Sequence, residues 1–125
     1  MRGRRILVVD DDEDVARFLA RLLQKAGYIV LTAENAAEAV AHVDRDAPDL
    51  ILTDLTMPTD GGVSVLDRLR EATKREGVPI IVLTGLDDPE LEVRAKAAGA
   101  TRVLRKPCDN AALLGCVKTA FGEKE

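Results

Sequence analysis

The sequence is poor in aromatic side chains, with two phenylalanines, one tyrosine and no tryptophan among 125 residues. A surface that binds single-stranded nucleic acid by stacking needs exposed aromatic rings, so the composition argues against such a surface. The formal net charge of −4, from 18 basic and 22 acidic residues, argues against a DNA-binding module with a basic face. We therefore expect an aliphatic core and no direct contact with nucleic acid.

Long hydrophobic runs are also absent. Residues 1–5, which include three arginines, are followed by only four apolar residues, 6–9, before Asp10. A secretory signal needs an apolar stretch of roughly 7–15 residues and a membrane span about 20, so we predict neither. Cys108 and Cys116 are expected on one helix, about 12 Å apart, which is too far for a disulfide. Free thiols without an export signal indicate a cytoplasmic protein.

The remaining composition is that of a folded globular protein, with 46% hydrophobic and 32% charged residues. The length fits one domain, since domains most often have roughly 100–150 residues. Because no proline- or serine-rich segment divides the chain, we predict one domain over residues 1–125.

The apolar pattern alternates between short continuous runs and helical stripes. Five runs have the length of strands: 6–9, 28–31, 50–52, 80–83 and 103–104. Continuous runs predict strands covered on both faces. The clearest helical stripe consists of Val15, Phe18, Leu19, Leu22, Leu23 and Ala26. Five βα units predict an α/β fold, a five-stranded doubly wound parallel sheet with helices on both faces.

Two finer features follow from the same pattern. Glycines lie where three helices should end: Gly27, Gly77 and Gly99. The weakest apolar stripe, Leu91, Ala95 and Ala98, buries little surface, so we expect the fourth helix to be the least firmly docked.

Polar residues occupy the carboxyl ends of the predicted strands, where ligands bind in doubly wound sheets. They are Asp10, Asp11, Asp12, Asp54, Thr84 and Lys106. Each alone has a structural explanation, such as a helix cap by Asp11 or Asp12, a turn or a solvated lysine. Together, carboxylates crowded at one edge repel one another unless a cation or a proton relieves them. Carboxylates without nearby histidine or cysteine suit Mg²⁺, and a hydroxyl with an ammonium suits a phosphoryl group.

With these residues in this order, the chain resembles the receiver domain of two-component response regulators, and is similar to the single-domain chemotaxis regulators over essentially its whole length. The resemblance implies a flavodoxin-like sheet with strand order 2-1-3-4-5. It implies that Asp10, Asp11 and Asp54 bind Mg²⁺, with Mn²⁺ able to substitute, and that Thr56 adds its backbone carbonyl.

The same resemblance implies the signalling chemistry. Asp54 would be the phosphoacceptor, Thr84 the switch hydroxyl and Lys106 the cation that neutralises the phosphate. A histidine kinase or a phosphotransfer protein would supply the phosphoryl group. A downstream protein would bind the face of the fourth helix, fifth strand and fifth helix. Such a domain is a signalling module rather than an enzyme, apart from slow hydrolysis of its own acyl phosphate.

Three positions depart from the family pattern. Val103 stands where many receivers have an aromatic switch residue, Cys108 stands where phenylalanine is common, and the loop 57–62 has an unusual sequence. Because valine is small and stiff, we expect the signal to travel through the backbone of residues 85–89 and the fourth helix.

Two other functions stay open at this point. A haloacid-dehalogenase-type phosphatase also combines aspartate, threonine, lysine and Mg²⁺, but its DxDx(T/V) motif is incomplete in residues 10–14. A docking module that works without phosphorylation is the second.

His42 is interpreted as a solvated surface histidine rather than a phosphodonor.

Overall fold

A computed structural model describes residues 3–54, 63–73, 77–85, 89–106 and 109–122. Over these residues, strands and helices alternate in the order β1 (Arg5–Val9), α1 (Glu13–Lys25), β2 (Ile29–Ala33), α2 (Ala36–Asp46), β3 (Leu50–Asp54), α3 (Val63–Thr73), β4 (Ile80–Thr84), α4 (Pro89–Ala97), β5 (Arg102–Arg105) and α5 (Asn110–Ala120). The strands pair in parallel in the order β2-β1-β3-β4-β5. The predicted fold class and strand order are confirmed.

The core is aliphatic and lies on both faces of the three central strands. One face, which includes Leu7, Ile51 and Val82, packs against α2, α3 and α4. The other face, which includes Ile6 and Leu52, packs against α1 and α5. Burial on both faces explains why β1, β3 and β4 are continuous apolar runs.

The prediction that all five strands are covered on both faces is wrong for the two edge strands. Ile29 at the start of β2 is 45% exposed, and Arg102 and Arg105 at the ends of β5 are exposed. An apolar run predicts a strand, but it does not show whether that strand lies at the centre or at the edge of the sheet.

Helix ends follow the local sequence closely. Asp12 is the N-cap of α1, since its carboxylate accepts the N–H groups of Asp14 and Val15. The three glycines that were predicted to lie at helix ends all have positive φ, with values of 100° at Gly27, 63° at Gly77 and 114° at Gly99. Their placement just after or near helix ends is confirmed.

The buried face of α1 departs from the sequence prediction. Phe18 is 56% exposed, so the buried side of α1 is centred on Ala16, Leu19 and Leu23 instead. The helix α5 contains Cys116, whereas the predicted position of Cys108 on the same helix lies outside the described residues.

The fourth helix has few buried side chains among those described. Ala95 is fully buried, whereas Val93 is 66% exposed. This agrees with the weak docking predicted for α4. None of the helices within the described ranges is long and apolar enough to cross a membrane.

Candidate functional site

The parallel sheet carries four of the predicted site residues to the carboxyl ends of neighbouring strands. Asp10 directly follows β1, Asp54 ends β3, Thr84 ends β4 and Lys106 follows β5. Asp10, Asp54 and Thr84 are almost fully buried, at 2%, 5% and 3% exposure. The central strands therefore hold two carboxylates and a hydroxyl out of bulk water.

Lys106 joins the two buried carboxylates. Its backbone N–H donates to the carbonyl of Thr84 over 2.7 Å, which extends the β4–β5 pairing by one residue. Its Nζ lies 3.2 Å from Oδ2 of Asp54 and 3.7 Å from Oδ2 of Asp10. The side chain is 31% exposed, so the ammonium reaches the site from the solvent side.

Asp10 is a buried carboxylate whose two oxygens have different surroundings. Its Oδ1 accepts the backbone N–H of Asp12 over 2.9 Å, whereas its buried Oδ2 has no hydrogen-bond partner within the described structure. Burial raises the pKa of Asp10, and the charges of Asp54 and Asp11 raise it further, against the opposing effects of the Asp12 hydrogen bond and Lys106. The ionised form of Asp10 thus lacks full compensation.

Three carboxylates converge closely enough to share a cation. Asp10, Asp11 and Asp54 each offer an oxygen, and these oxygens lie within 4.8 Å of one another. Asp11 is exposed, and Oδ2 of Asp10 is a buried acceptor that receives no hydrogen bond from the part of the chain that the structure describes. Hard oxygen ligands with an open, solvent-facing side fit Mg²⁺, which retains several waters. The predicted metal ligand Thr56 lies outside the described residues, as does the loop 57–62.

A groove of about 260 Å³ adjoins Asp10 on the side of β2 and is absent from the sequence prediction. Glu13 and Arg17 on α1 line it, together with Thr32 and Glu34 at the end of β2. The strand order contains the signal for it, because β2 is the outer neighbour of β1 and its carboxyl end lies beside Asp10.

His42 is not part of this site. It lies in the second half of α2, where Nδ1 is 2.8 Å from Oδ2 of Asp46. That hydrogen bond lowers the pKa of Asp46. The side chain of His42 is 20% exposed, so it is paired and half-buried rather than fully solvated as predicted.

Comparison with known proteins gives a consistent result. The family model described as the response regulator receiver domain matches residues 6–118. The chain is 36% identical to the protein PilH of Pseudomonas aeruginosa over 94% of this chain and 97% of PilH. It is 35% identical to the CAI-1 autoinducer sensor kinase/phosphatase CqsS of Vibrio cholerae over 91% of this chain but only 17% of CqsS. The crystal structure of the chemotaxis protein CheY4 of Vibrio cholerae superposes with a TM-score of 0.88 at 32% identity, covering 95% of this chain and 99% of that one.

Proposed function

This chain belongs to the response regulator receiver domain family of two-component systems, and on that premise we propose that residues 1–125 act as one receiver that is phosphorylated on Asp54. The observation that carries this proposal is the ion pair of 3.2 Å between Lys106 Nζ and the buried Oδ2 of Asp54. An ammonium at that distance can neutralise a phosphoryl group attached to Asp54.

The proposed donor is a phosphohistidine on a histidine kinase or a phosphotransfer protein. An oxygen of Asp54 attacks the phosphorus, and the new O–P bond forms as the P–N bond of the donor breaks. The imidazole nitrogen keeps the electron pair. Positioning and charge neutralisation supply most of the catalysis in such transfers, and Asp54, Lys106 and the hydroxyl of Thr84 are the protein groups that would contact the phosphoryl group directly.

Asp10, Asp11 and Asp54 would hold Mg²⁺, or Mn²⁺ in its place, with the backbone carbonyl of Thr56. When bound, the cation would neutralise the carboxylates and the phosphoryl oxygens. Oδ2 of Asp10 supports this assignment, because this buried oxygen accepts no hydrogen bond from the described residues and a divalent cation would coordinate it.

An acyl phosphate carries about −1.5 to −2 charges, but it replaces the single charge of the Asp54 carboxylate, so phosphorylation adds about one negative charge at this edge of the sheet. We propose that Thr84 and Lys106 then move toward the phosphoryl group and alter α4, which controls a downstream protein that binds the face of α4, β5 and α5. Val93 on α4 is 66% exposed, so its side chain is available for an apolar contact with that protein. Slow hydrolysis of the acyl phosphate would reset the domain, and the cytoplasmic location stays a prediction.

Intact-mass measurement after incubation with acetyl phosphate and Mg²⁺ tests the proposal. We expect one phosphoryl group on the wild-type protein, none on Asp54→Asn, and one on Asp67→Asn, in which an exposed aspartate of α3 is changed. Labelling that persists in Asp54→Asn would exclude Asp54 as the acceptor.

The same experiment separates the alternative functions. An unlabelled wild-type protein would favour a docking module that works without phosphorylation. Membership in the receiver family argues against the phosphatase, so p-nitrophenyl phosphate should not be turned over catalytically.

A further inference from the structure

Arg70 on α3 links two separate parts of the backbone. Its Nη2 donates to the carbonyl of Gly99 over 2.6 Å, and its Nη1 donates to the carbonyl of Val78 over 3.1 Å. Gly99 ends the turn after α4, and Val78 precedes β4. Hydrogen bonds from a charged group are about twice as strong as neutral ones, so this contact is a firm link between α3, β4 and the end of α4.

Gly99 is shaped for this contact in two ways. Its backbone φ of +114° is a value that residues other than glycine rarely adopt. In addition, a Cβ at this position would lie 2.7 Å from Nε and 2.9 Å from Cγ of Arg70. The arginine thus packs directly against the glycine backbone. Its Nε is buried without a hydrogen-bond partner in the described part of the chain, so the guanidinium is partly desolvated to reach the two carbonyls.

Further hydrogen bonds hold the same end of α4. The N–H of Ala100 donates to the carbonyl of Ala95 over 3.0 Å, and that of Thr101 donates to the carbonyl of Ile80 over 2.7 Å. The N–H of Ile80 donates in turn to Oγ1 of Thr101 over 3.1 Å. The turn after α4 is therefore connected to the base of β4 in both directions.

The contact described for the N-terminal half of α4 lies at the surface. Glu92 forms an ion pair of 3.6 Å with Arg105 on β5, and both side chains are substantially exposed. Exposed ion pairs contribute little to stability. Val93, one residue further on, is 66% exposed. This half of the helix is also the end that follows Thr84 and Gly85 along the chain.

We propose that Arg70 anchors the C-terminal end of α4, so that the rearrangement caused by phosphorylation pivots at Gly99 and is confined to the N-terminal half of the helix. The proposal rests on the function proposed above for its trigger, but the anchor itself is a property of the unphosphorylated protein. With its C-terminal end fixed, α4 responds to a displacement near Thr84 by moving in its N-terminal half, and the whole helix is not released.

Amide hydrogen exchange on the unphosphorylated protein tests the anchor first. Arg70→Met should lower the protection of amides 98–101 by about tenfold or more, because two charge-assisted hydrogen bonds are lost. Arg70→Lys keeps the charge without the fork and should give a smaller loss. Arg68→Met removes an exposed arginine from the same helix and should leave these amides unchanged. Unchanged protection in Arg70→Met would overturn the anchor.

Amide chemical shifts on addition of Mg²⁺ and beryllium fluoride test the pivot. In the wild-type protein, the shifts within α4 should be concentrated in residues 89–93, and in Arg70→Met they should extend to residues 97–101. Equal shifts at both ends of wild-type α4, or the same pattern in both proteins, would overturn the pivot. Intact-mass labelling by acetyl phosphate is measured on the same samples, so a failure of the proposed function is recognised separately from a failure of the anchor.

Discussion

Lys106 and Asp54 form an ion pair of 3.2 Å across 52 residues of sequence, between an ammonium at the mouth of the site and a carboxylate that is 5% exposed. The same ammonium lies 3.7 Å from Asp10. In the unphosphorylated protein, Lys106 thus balances part of the negative charge that a metal ion would also neutralise. This competition has a measurable consequence.

Replacing Lys106 by methionine should strengthen Mg²⁺ binding while it slows phosphorylation. The ammonium repels a cation bound at the neighbouring carboxylates, and its removal should raise Mg²⁺ affinity by about tenfold, or ~1.4 kcal/mol. Titration calorimetry measures the affinity, with Lys118→Met on α5 as a control for the loss of one positive charge. An affinity equal to or below that of the wild-type protein would contradict the expected repulsion.

Asp10→Asn should stabilise the metal-free protein in a pH-dependent manner. Because burial raises the pKa of Asp10 in the folded state above the ordinary value of an aspartate, the folded protein binds a proton more readily than the unfolded chain. The free energy of unfolding of the wild-type protein therefore falls as the pH rises from about 4 through the folded pKa. Asparagine does not ionise, so the variant does not lose this stability. We expect a gain of about 1 kcal/mol at pH 7 and almost none at pH 3.5.

Urea denaturation in the presence of a chelator at the two pH values measures this difference. Mg²⁺ should stabilise the wild-type protein and have little effect on Asp10→Asn, because ligand binding to the folded state raises stability by mass action. A stability gain that is the same at both pH values would show that the ionisation of Asp10 is not its cause.

Thr53→Val should stabilise the fold by about 1 kcal/mol, because the hydroxyl of Thr53 is buried without a partner in the described structure. Thr53 is 1% exposed and lies in register with Val9 on one side and Val82 on the other. A valine has nearly the same shape and suits these neighbours. The midpoint of urea denaturation should increase at an unchanged m-value.

Thr73→Val is the matched control for Thr53→Val. Thr73 is also 1% exposed, but its hydroxyl donates to the carbonyl of Leu69 over 2.9 Å. The same substitution should therefore be neutral or slightly destabilising there. If both variants gain equally, general hydrophobicity rather than an unpaired hydroxyl explains the effect.

Thr84→Ala should still be phosphorylated but lose most of the response in the N-terminal half of α4, whereas Val103→Ala should keep it. Val103 is half-buried, packs against the core on the α2–α4 side of the sheet and pairs in register with Val82. Its small, stiff side chain has little scope to swing as a ring would. Amide chemical shifts with beryllium fluoride measure the response. If the response is lost in Val103→Ala, the assignment of the switch to Thr84 rather than Val103 is wrong.

The sequence predicts which of these side chains lie close together, because parallel topology does most of the positioning. Asp10, Asp54, Thr84 and Lys106 each follow or end an apolar run, and the carboxyl ends of parallel strands meet at one edge whatever the helices do. The closeness of these side chains could therefore be expected before any contact was known. The pairing of His42 with Asp46 could also have been read from their i, i+4 spacing.

Two kinds of feature could not be predicted in this way: which part of a helix the sheet buries, and which distant group a long side chain contacts. Phe18 belongs to the apolar stripe of α1, but the sheet covers only the part centred on Ala16, Leu19 and Leu23. The contact between Arg70 and Gly99 joins residues 29 apart, and only the packing of α3 on α4 determines which carbonyl the guanidinium reaches.

The two aromatic residues nearest the base of the sheet bring the ends of the fold together. The ring of Phe121, just after α5, lies 5.6 Å from that of Tyr28, and the guanidinium of Arg4, just before β1, lies over the Phe121 ring at 4.4 Å. Entry to and exit from the fold thus adjoin each other at the edge opposite Asp54. A short peptide could join residues 4 and 121 into a closed backbone that is reopened at a surface turn, which makes the fold suitable for circular permutation. For the same reason, the domain could be inserted into a loop of a host protein with both junctions on the side away from the proposed phosphorylation site.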